Sequence, residues 1–508
     1  MAGPGSRYGF SLDGGEPRPD PRSLSQPEGV LGLSEVIDHS AYRWRDSGWS
    51  APPMRALLIY EAHIGTFSGA GTFEGAIEHL PHLSALGVTA IELMPVAEFS
   101  GDRGWGYDGV DLYAPHHAYG GPAGLKRLVD ACHDAGLAVI LDVVYNHLGP
   151  AGNFLAEFGP YFSARRRTAW GEGINFDGDG AAEVRRFFVD NAVAWVRDYH
   201  VDGLRLDAIH AIADVSPVHI LEEIAAEVHS AAAGLGRAAY VIAEADRKDP
   251  RLVEDRASGG YGLDGAWTDH WHHALHAALT GETAGYYSDF GSLEALALAL
   301  RDGWIFDGHW SPERRRLPTA TPPVDVVPEA LVVAAQNHDQ VGNRATGERL
   351  EMLAGRSRAR SAAALLLATQ FTPLLFQGEE WSASTPFLYF TDHRDPALGR
   401  AVSEGRRRDF AAFGWSPEGV PDPQDPATFE RSKLRWQEID EPVHREMLGW
   451  YRDLIAVRRR LPPASRAEVG VAVDERSRTV IFTRPGLEVR VNVRDGSCAV
   501  RELGTKLV

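Results

Sequence analysis

From Leu57 onward the chain alternates short apolar runs with stretches whose apolar residues recur every three or four positions. The runs occupy 57–65, 88–95, 137–147, 201–210, 240–246, 262–269, 331–339 and 372–380, eight in all. Apolar runs of this length between amphipathic helices read as strands buried on both faces, the mark of an α/β fold with a parallel sheet and helical crossovers. Eight such units over about 400 residues favour an eight-fold (β/α) barrel with insertions over an open doubly wound sheet. No GxGxxG follows a strand and no GxxxxGKS/T occurs, so nucleotide binding has no motif to rest on.

Spacing supports the helices between the strands. Val184, Phe187, Phe188, Asn191, Trp195 and Tyr199 share one face, and Leu125, Leu128, Val129 and Cys132 share another. On such a face Cys132 is a small core residue rather than a reactive thiol. An insertion at 381–440 precedes a helix from Pro442 to Leu461, which would close the barrel. The remainder carries VGVAVD, TVIFTR and LEVRVNV with turn signals between them, a small antiparallel β domain. The first 55 residues are rich in Gly, Pro, Ser and Asp and lack a helical period, so they read as loops and short strands. The expected organisation is a segment at 1–55, a barrel at 56–461 and a β domain at 462–508.

Charge narrows the partners. Lys and Arg total 51 against 70 Asp and Glu, a net −19 that disfavours nucleic acid or an anionic membrane as principal partner. No stretch approaches the roughly 20 apolar residues that span a bilayer, and the opening MAGPGSRYGFSLDGG has no apolar signal core. Two cysteines, Cys132 and Cys498, are too few for a disulfide framework or a thiolate zinc site and fit a reducing, cytoplasmic compartment.

Function is written at the strand ends, because barrel active sites lie at the carboxyl ends of the strands. The third run ends Asp142-Val143-Val144-Tyr145-Asn146-His147, the fourth Arg205-Leu206-Asp207, the fifth Glu244, and the seventh Gln336-Asn337-His338-Asp339. Side-chain alternation puts Arg205 and Asp207 on one side, both facing the mouth. An Arg beside an Asp favours the carboxylate, which suits a nucleophile. Glu244 follows the apolar run Tyr240-Val241-Ile242-Ala243, and like charges at Asp207 and Asp339 oppose its ionisation, which suits a general acid. Two carboxyls in unequal environments are the equipment of retaining glycoside hydrolysis. A metal site is the rival reading of several acids and two His, but no HExxH or comparable local spacing is present, and no metal is assigned.

The segments DVVYNH, GLRLDAIH, VIAEAD and QNHDQ resemble, in order and approximate spacing, the four sequence regions of the alpha-amylase superfamily of glycoside hydrolases. YEAHIGTFS, ELMPVAEF, WGYDGVDLYAPHHAYGGP, NHLGPAGNF, QNHDQVGNR and PFLYFTDH are similar to the maltooligosyltrehalose trehalohydrolase branch and run through almost the whole barrel. The resemblance implies that Asp207, Glu244 and Asp339 are nucleophile, general acid/base and transition-state stabiliser. It implies that Tyr107, His147, Arg205, His338 and Gln340 bind the substrate or orient the nucleophile at the cleavage point. His210-Ala211 stands where typical amylases carry a Lys-His pair, which agrees with trehalohydrolases; His210 and Asp246 would contact the leaving side. Asn146 matches a calcium ligand of amylases, and here a hydrogen bond within the fold is its expected role.

The implied activity is hydrolysis of the alpha-1,4 linkage next to the terminal trehalose of maltooligosyltrehalose, in trehalose biosynthesis. No cofactor is implied, and alpha-glucans and a functionally paired maltooligosyltrehalose synthase are the implied partners. The alternatives are a branching or debranching enzyme of the superfamily and a non-catalytic polysaccharide-binding protein. Family members carry a complete β-sandwich ahead of the barrel, so residues 1–55 are expected to represent only its last strands, with an unpaired edge and exposed apolar surface that promote association.

Overall fold

The computed structural model describes residues 3–168, 171–245, 249–305, 326–412 and 419–503. Eight parallel strands close a barrel: β1 (Ile59–Ala62), β2 (Ala90–Leu93), β3 (Ala138–Val143), β4 (Gly203–Leu206), β5 (Tyr240–Glu244), β6 (Gly265–Trp267), β7 (Leu331–Ala334) and β8 (Thr372–Phe376). Each lies within one of the eight apolar runs, and β8 pairs with β1 to complete the ring. The predicted helix faces are the buried faces of Gly121–Asp134 and Ala181–Tyr199, and Cys132 is core. The closing helix spans Pro442–Arg460.

Alternation along the strands sorts side chains into two cores. Tyr60, Ile91, Leu141, Leu204, Val241, Val333 and Leu375 point outward and join the large cluster beneath the helices. Ile59, Ala90, Ile140, Ile242, Trp267, Val332 and Leu374 fill the barrel interior as a separate cluster, continued by Ala51 and Leu57 from the segment before β1. Two residues further along their strands, the same inward positions hold Glu61, Glu92, Asp142 and Glu244, with Arg205 among them. The apolar plug thus ends in a layer of buried charge facing the mouth.

Three additions shape that mouth. A ribbon of Ala97–Phe99 paired with Gly109–Pro115 follows β2, and its connection carries Trp105 and Tyr107. Gly106 between them has φ +96, and a Cβ there would lie 2.2 Å from the Pro95 carbonyl oxygen, so only glycine makes the turn. A second ribbon, Phe162–Thr168 with Gly171–Ile174, follows β3. The insertion after β8 contributes the helices Pro396–Ala412 and Pro426–Ser432.

Before the barrel, the short strands Arg7–Tyr8 and Ser34–Glu35 pair antiparallel, and Phe10, Leu31 and Leu33 are exposed. This segment is fastened to the barrel by Arg22–Asp190 and by the Trp49 indole donating to Asp202. After the closing helix, β9 (Gly470–Asp474), β10 (Thr479–Arg484), β11 (Leu487–Asn492) and β12 (Cys498–Glu502) form an antiparallel sheet, one strand more than the three apolar runs predict. Val480, Phe482, Val489 and Val491 on its buried face belong to the same core as the barrel helices.

That shared core predicts a contrast within one sheet. Phe482→Ala removes a fully buried ring and should lower stability by about 3–5 kcal/mol, whereas Arg490→Ala on the exposed face should stay within about 0.5 kcal/mol. Denaturant titration of both variants measures the difference, and equal losses would contradict the shared core.

Candidate active site

Barrel register brings Arg205 of β4 beside Asp142 of β3. Arg205 Nη1 lies 2.9 and 2.8 Å from the two Asp142 carboxylate oxygens and 2.9 Å from Asp207 Oδ1, and Nη2 lies 3.4 Å from Glu244 Oε2. The guanidinium is wholly buried and stacks over Trp267 at 4.5 Å. A cation so placed survives burial because three carboxyl groups surround it. Burial pushes Asp142 up to about 6 even though Arg205 opposes the shift.

Asp207 stands one residue past β4, where its N–H still bonds the Val143 carbonyl at 3.1 Å. Its Oδ2 accepts from Asn146 Nδ2 at 2.7 Å, the hydrogen bond within the fold expected of Asn146. The next residue, Ala208, has φ +40, a left-handed conformation that costs a residue with a Cβ about 1–2 kcal/mol. That turn aims the Ala208 N–H at Glu244 Oε2, 2.5 Å away. Glu244 is pushed up to about 8, first by burial and then by the charges of Asp207 and Asp339, against the pull of Arg205. The two carboxyls therefore differ by surroundings: Asp207 accepts from Arg205 and Asn146, while Glu244 ends an apolar strand.

His338 is buried, with Nδ1 2.5 Å from Glu61 Oε1 and Nε2 2.7 Å from the Tyr107 hydroxyl. Burial alone would disfavour its cation, but Glu61 and Asp339 outweigh it and raise the imidazole to about 9. The Tyr107 hydroxyl accepts from His338 and donates to Asp142 at 2.6 Å, and its ring stacks on His338. Asp339 is the most open of the acids, its side chain 41% exposed, and accepts from Asn343 at 3.0 Å. His147 hydrogen-bonds the Asn146 side chain and the Tyr107 backbone, and burial holds it below the ordinary imidazole range.

These groups open into a cavity of about 600 Å³. Tyr107, His147, Asp207, Glu244, His338 and Asp339 line it, as does His210 on the turn after β4; Arg205 sits beneath it. Gln340, the residue after Asp339, does not line it, and Asp246 lies outside the described residues. Trp105, Tyr389, Asn343 and Arg406 also line the cavity without having been singled out from sequence. Arg406 comes from the insertion after β8, lies 4.7 Å over the Tyr389 ring and bonds Asn343 at 2.8 Å. The WGYD segment that carried Tyr107 contained the signal for Trp105. Nothing local marks Arg406.

Chemically, the arrangement offers a held carboxylate, a carboxyl that keeps its proton near neutral pH, a third acid and aromatic walls. Its geometry rests on the Ala208 turn. Ala208→Gly should fold with stability within about 1 kcal/mol of the parent, whereas the branched Ala208→Val should lose about 2 kcal/mol or more. Thermal denaturation of the pair checks this, and a fully stable Val variant would remove the argument for strain.

Comparison with known proteins gives the family. The family model for the alpha-amylase catalytic domain matches residues 58–162. A malto-oligosyltrehalose trehalohydrolase from Arthrobacter ramosus is 51% identical over 497 residues, spanning 98% of this chain and 86% of that protein. One from Saccharolobus solfataricus is 46% identical, spanning 92% and 80%. A crystal structure of a putative alpha amylase from Salmonella typhimurium superposes with a TM-score of 0.89 at 40% identity, covering 96% of this chain and 84% of its own. With close relatives aligned across nearly its whole length and the amylase barrel beneath them, the chain belongs to the malto-oligosyltrehalose trehalohydrolase family of glycoside hydrolases.

Proposed function

We propose that this enzyme cleaves the alpha-1,4 linkage next to the terminal trehalose of maltooligosyltrehalose by a retaining double displacement, with Asp207 as nucleophile and Glu244 as acid/base. The observation that carries the reading is one guanidinium, Arg205, touching two carboxyls whose surroundings set them apart. Asp207 attacks the anomeric carbon of the glucose preceding trehalose. Glu244 gives its proton to the glycosidic oxygen, the C–O bond breaks, and trehalose departs with a hydroxyl where the linkage was. Glu244 Oε2 is taken by Ala208 N–H and Arg205, which leaves Oε1 to carry the proton toward the cavity. Once Asp207 is esterified its charge is gone. One cause of the raised Glu244 pKa goes with it, so Glu244 can accept the proton of the water that hydrolyses the ester. Asp339 supports the positive charge of the oxocarbenium-like transition state.

Specificity belongs to the leaving side. Trehalose joins two glucoses through both anomeric carbons, so it is bent and non-reducing, unlike a maltose end. His210 lines the cavity just past the nucleophile, and Asp246 follows the acid in sequence. Hydrogen bonds from such groups discriminate because an ill-fitting ligand leaves each buried partner unpaired at about 1–3 kcal/mol. We also propose that the enzyme acts in the cytoplasm on the product of a maltooligosyltrehalose synthase.

Incubation with maltooligosyltrehalose should release trehalose as the main disaccharide, with much slower cleavage of maltooligosaccharides of equal length. Equal rates on both, or new alpha-1,6 branches on a linear glucan, would turn the reading toward amylase or branching enzyme. His210→Ala should narrow the preference for trehalose more than it slows cleavage of maltooligosaccharides.

Asp207→Asn should lose about 1000-fold or more in kcat while still folding, because an amide cannot form the ester. Glu244→Gln should lose about 100-fold or more on natural leaving groups and recover best on activated glycosides. In the parent enzyme the rate should fall as pH rises through about 8, where Glu244 gives up its proton. On activated substrates Glu244→Gln should lack that alkaline limb. A limb retained in the Gln variant would assign the proton to another group.

A further inference from the structure

Another set of ligating side chains sits at the foot of the ribbon that follows β2. Glu98 lies on its first strand, and His116 and His117 follow its second. Glu98 Oε2 accepts from the His117 backbone N–H at 2.8 Å, and Oε1 lies 2.7 Å from His117 Nδ1 and 3.3 Å from His116 Nδ1. Ligand atoms of the three residues all fall within 4.8 Å of one another. Glu98 and His116 are fully buried.

His116 is the residue the protein alone does not explain. Its Nε2 is buried without a hydrogen-bond partner among the described residues, and its Nδ1 makes a 3.3 Å approach to Glu98 Oε1. A buried imidazole so placed costs about 1–3 kcal/mol for each unsatisfied group. Its plane is fixed by stacking on Phe99, ring centroids 3.8 Å apart, with Nδ1 toward Glu98. Asp111, the cross-strand partner of Glu98, is buried too, and one of its carboxyl oxygens also lacks a partner.

We propose that Glu98, His116 and His117 bind a divalent metal ion of the zinc class. A tetrahedral ion with bonds of about 2.0–2.1 Å holds neighbouring ligand atoms about 3.4 Å apart, close to the 3.3 Å between Glu98 and His116, while the 2.7 Å hydrogen bond between Glu98 and His117 would open to admit it. Two imidazoles and a carboxylate suit zinc and its neighbours; calcium and magnesium call for oxygen ligands. His117 already has the outer partner that metal-bound histidines use: its Nε2 lies 3.3 Å from Asp102 Oδ1. The ion would tie the two strands of the ribbon together below the connection that brings Trp105 and Tyr107 to the cavity. The proposal stands independently of the catalytic roles assigned above.

The test uses purified protein stripped with a chelator and then offered Zn²⁺, with Ca²⁺ and Mg²⁺ as controls, reading metal content and melting temperature. The wild type should retain about one zinc per chain and melt about 3 °C higher with zinc. Neither control ion should shift it. His116→Ala and Glu98→Gln should lose both effects. Asp102 is exposed, so Asp102→Asn should melt like the metal-free parent yet bind zinc about 10-fold or more weaker. This variant keeps the test decisive should the buried substitutions unfold the chain. A wild type that retains no zinc, or zinc bound undiminished by His116→Ala, would overturn the site, and an equal shift with Ca²⁺ would overturn the metal class.

Discussion

The structure is organised around one buried cation. Arg205 has no exposed surface, sits on a short strand inside a closed barrel, and is surrounded by Asp142, Asp207 and Glu244. Burying a guanidinium is costly, and only close carboxylates offset the loss of water. Each of those carboxyls in turn depends on the cation. Removing it would leave acids crowded in an apolar cage, a change of about 3–5 kcal/mol in comparable buried pairs. The candidate site and the upper core are therefore one electrostatic unit.

Within that unit protons distribute unevenly. Glu61 faces His338 and makes an ion pair, whereas Glu92 is pushed well above the usual carboxylate range, first by burial and then by Glu61. The cations in this layer are Arg205 and the His338 imidazolium, and burial pushes Asp142, Glu244 and Glu92 upward against their pull. Glu244 stays pushed up to about 8 although Arg205 lies 3.4 Å away, first by burial and then by the charges of Asp207 and Asp339.

Barrel strands and added segments contribute different groups to the cavity. Strand ends carry Arg205, Asp207 and Glu244, and barrel hydrogen bonding sets their spacing. The ribbon after β2 and the insertion after β8 supply Trp105, Tyr107, Tyr389 and Arg406, the groups that shape the cavity.

All eight strands, the helix faces of 121–134 and 181–199, and the acids at the strand ends were legible in the sequence, because periodicity and strand-end position are local properties. Locality also explains Arg205 beside Asp207, two residues apart on one side of a strand. Tertiary structure decided the rest. Glu61 and Glu92 read as ordinary strand residues until barrel closure turns them onto a common interior layer with Asp142, and register between strands far apart in sequence is what sets Asp142 against Arg205. The left-handed turn at Ala208 has no glycine to announce it. Gln340 shares a motif with His338 and Asp339, yet the helical turn carries it off the cavity wall. Arg406 reaches the cavity from an insertion whose sequence has no strand-end pattern. Sequence spacing dictates which way a side chain faces along its own element; which other side chain it meets there depends on how distant elements pack.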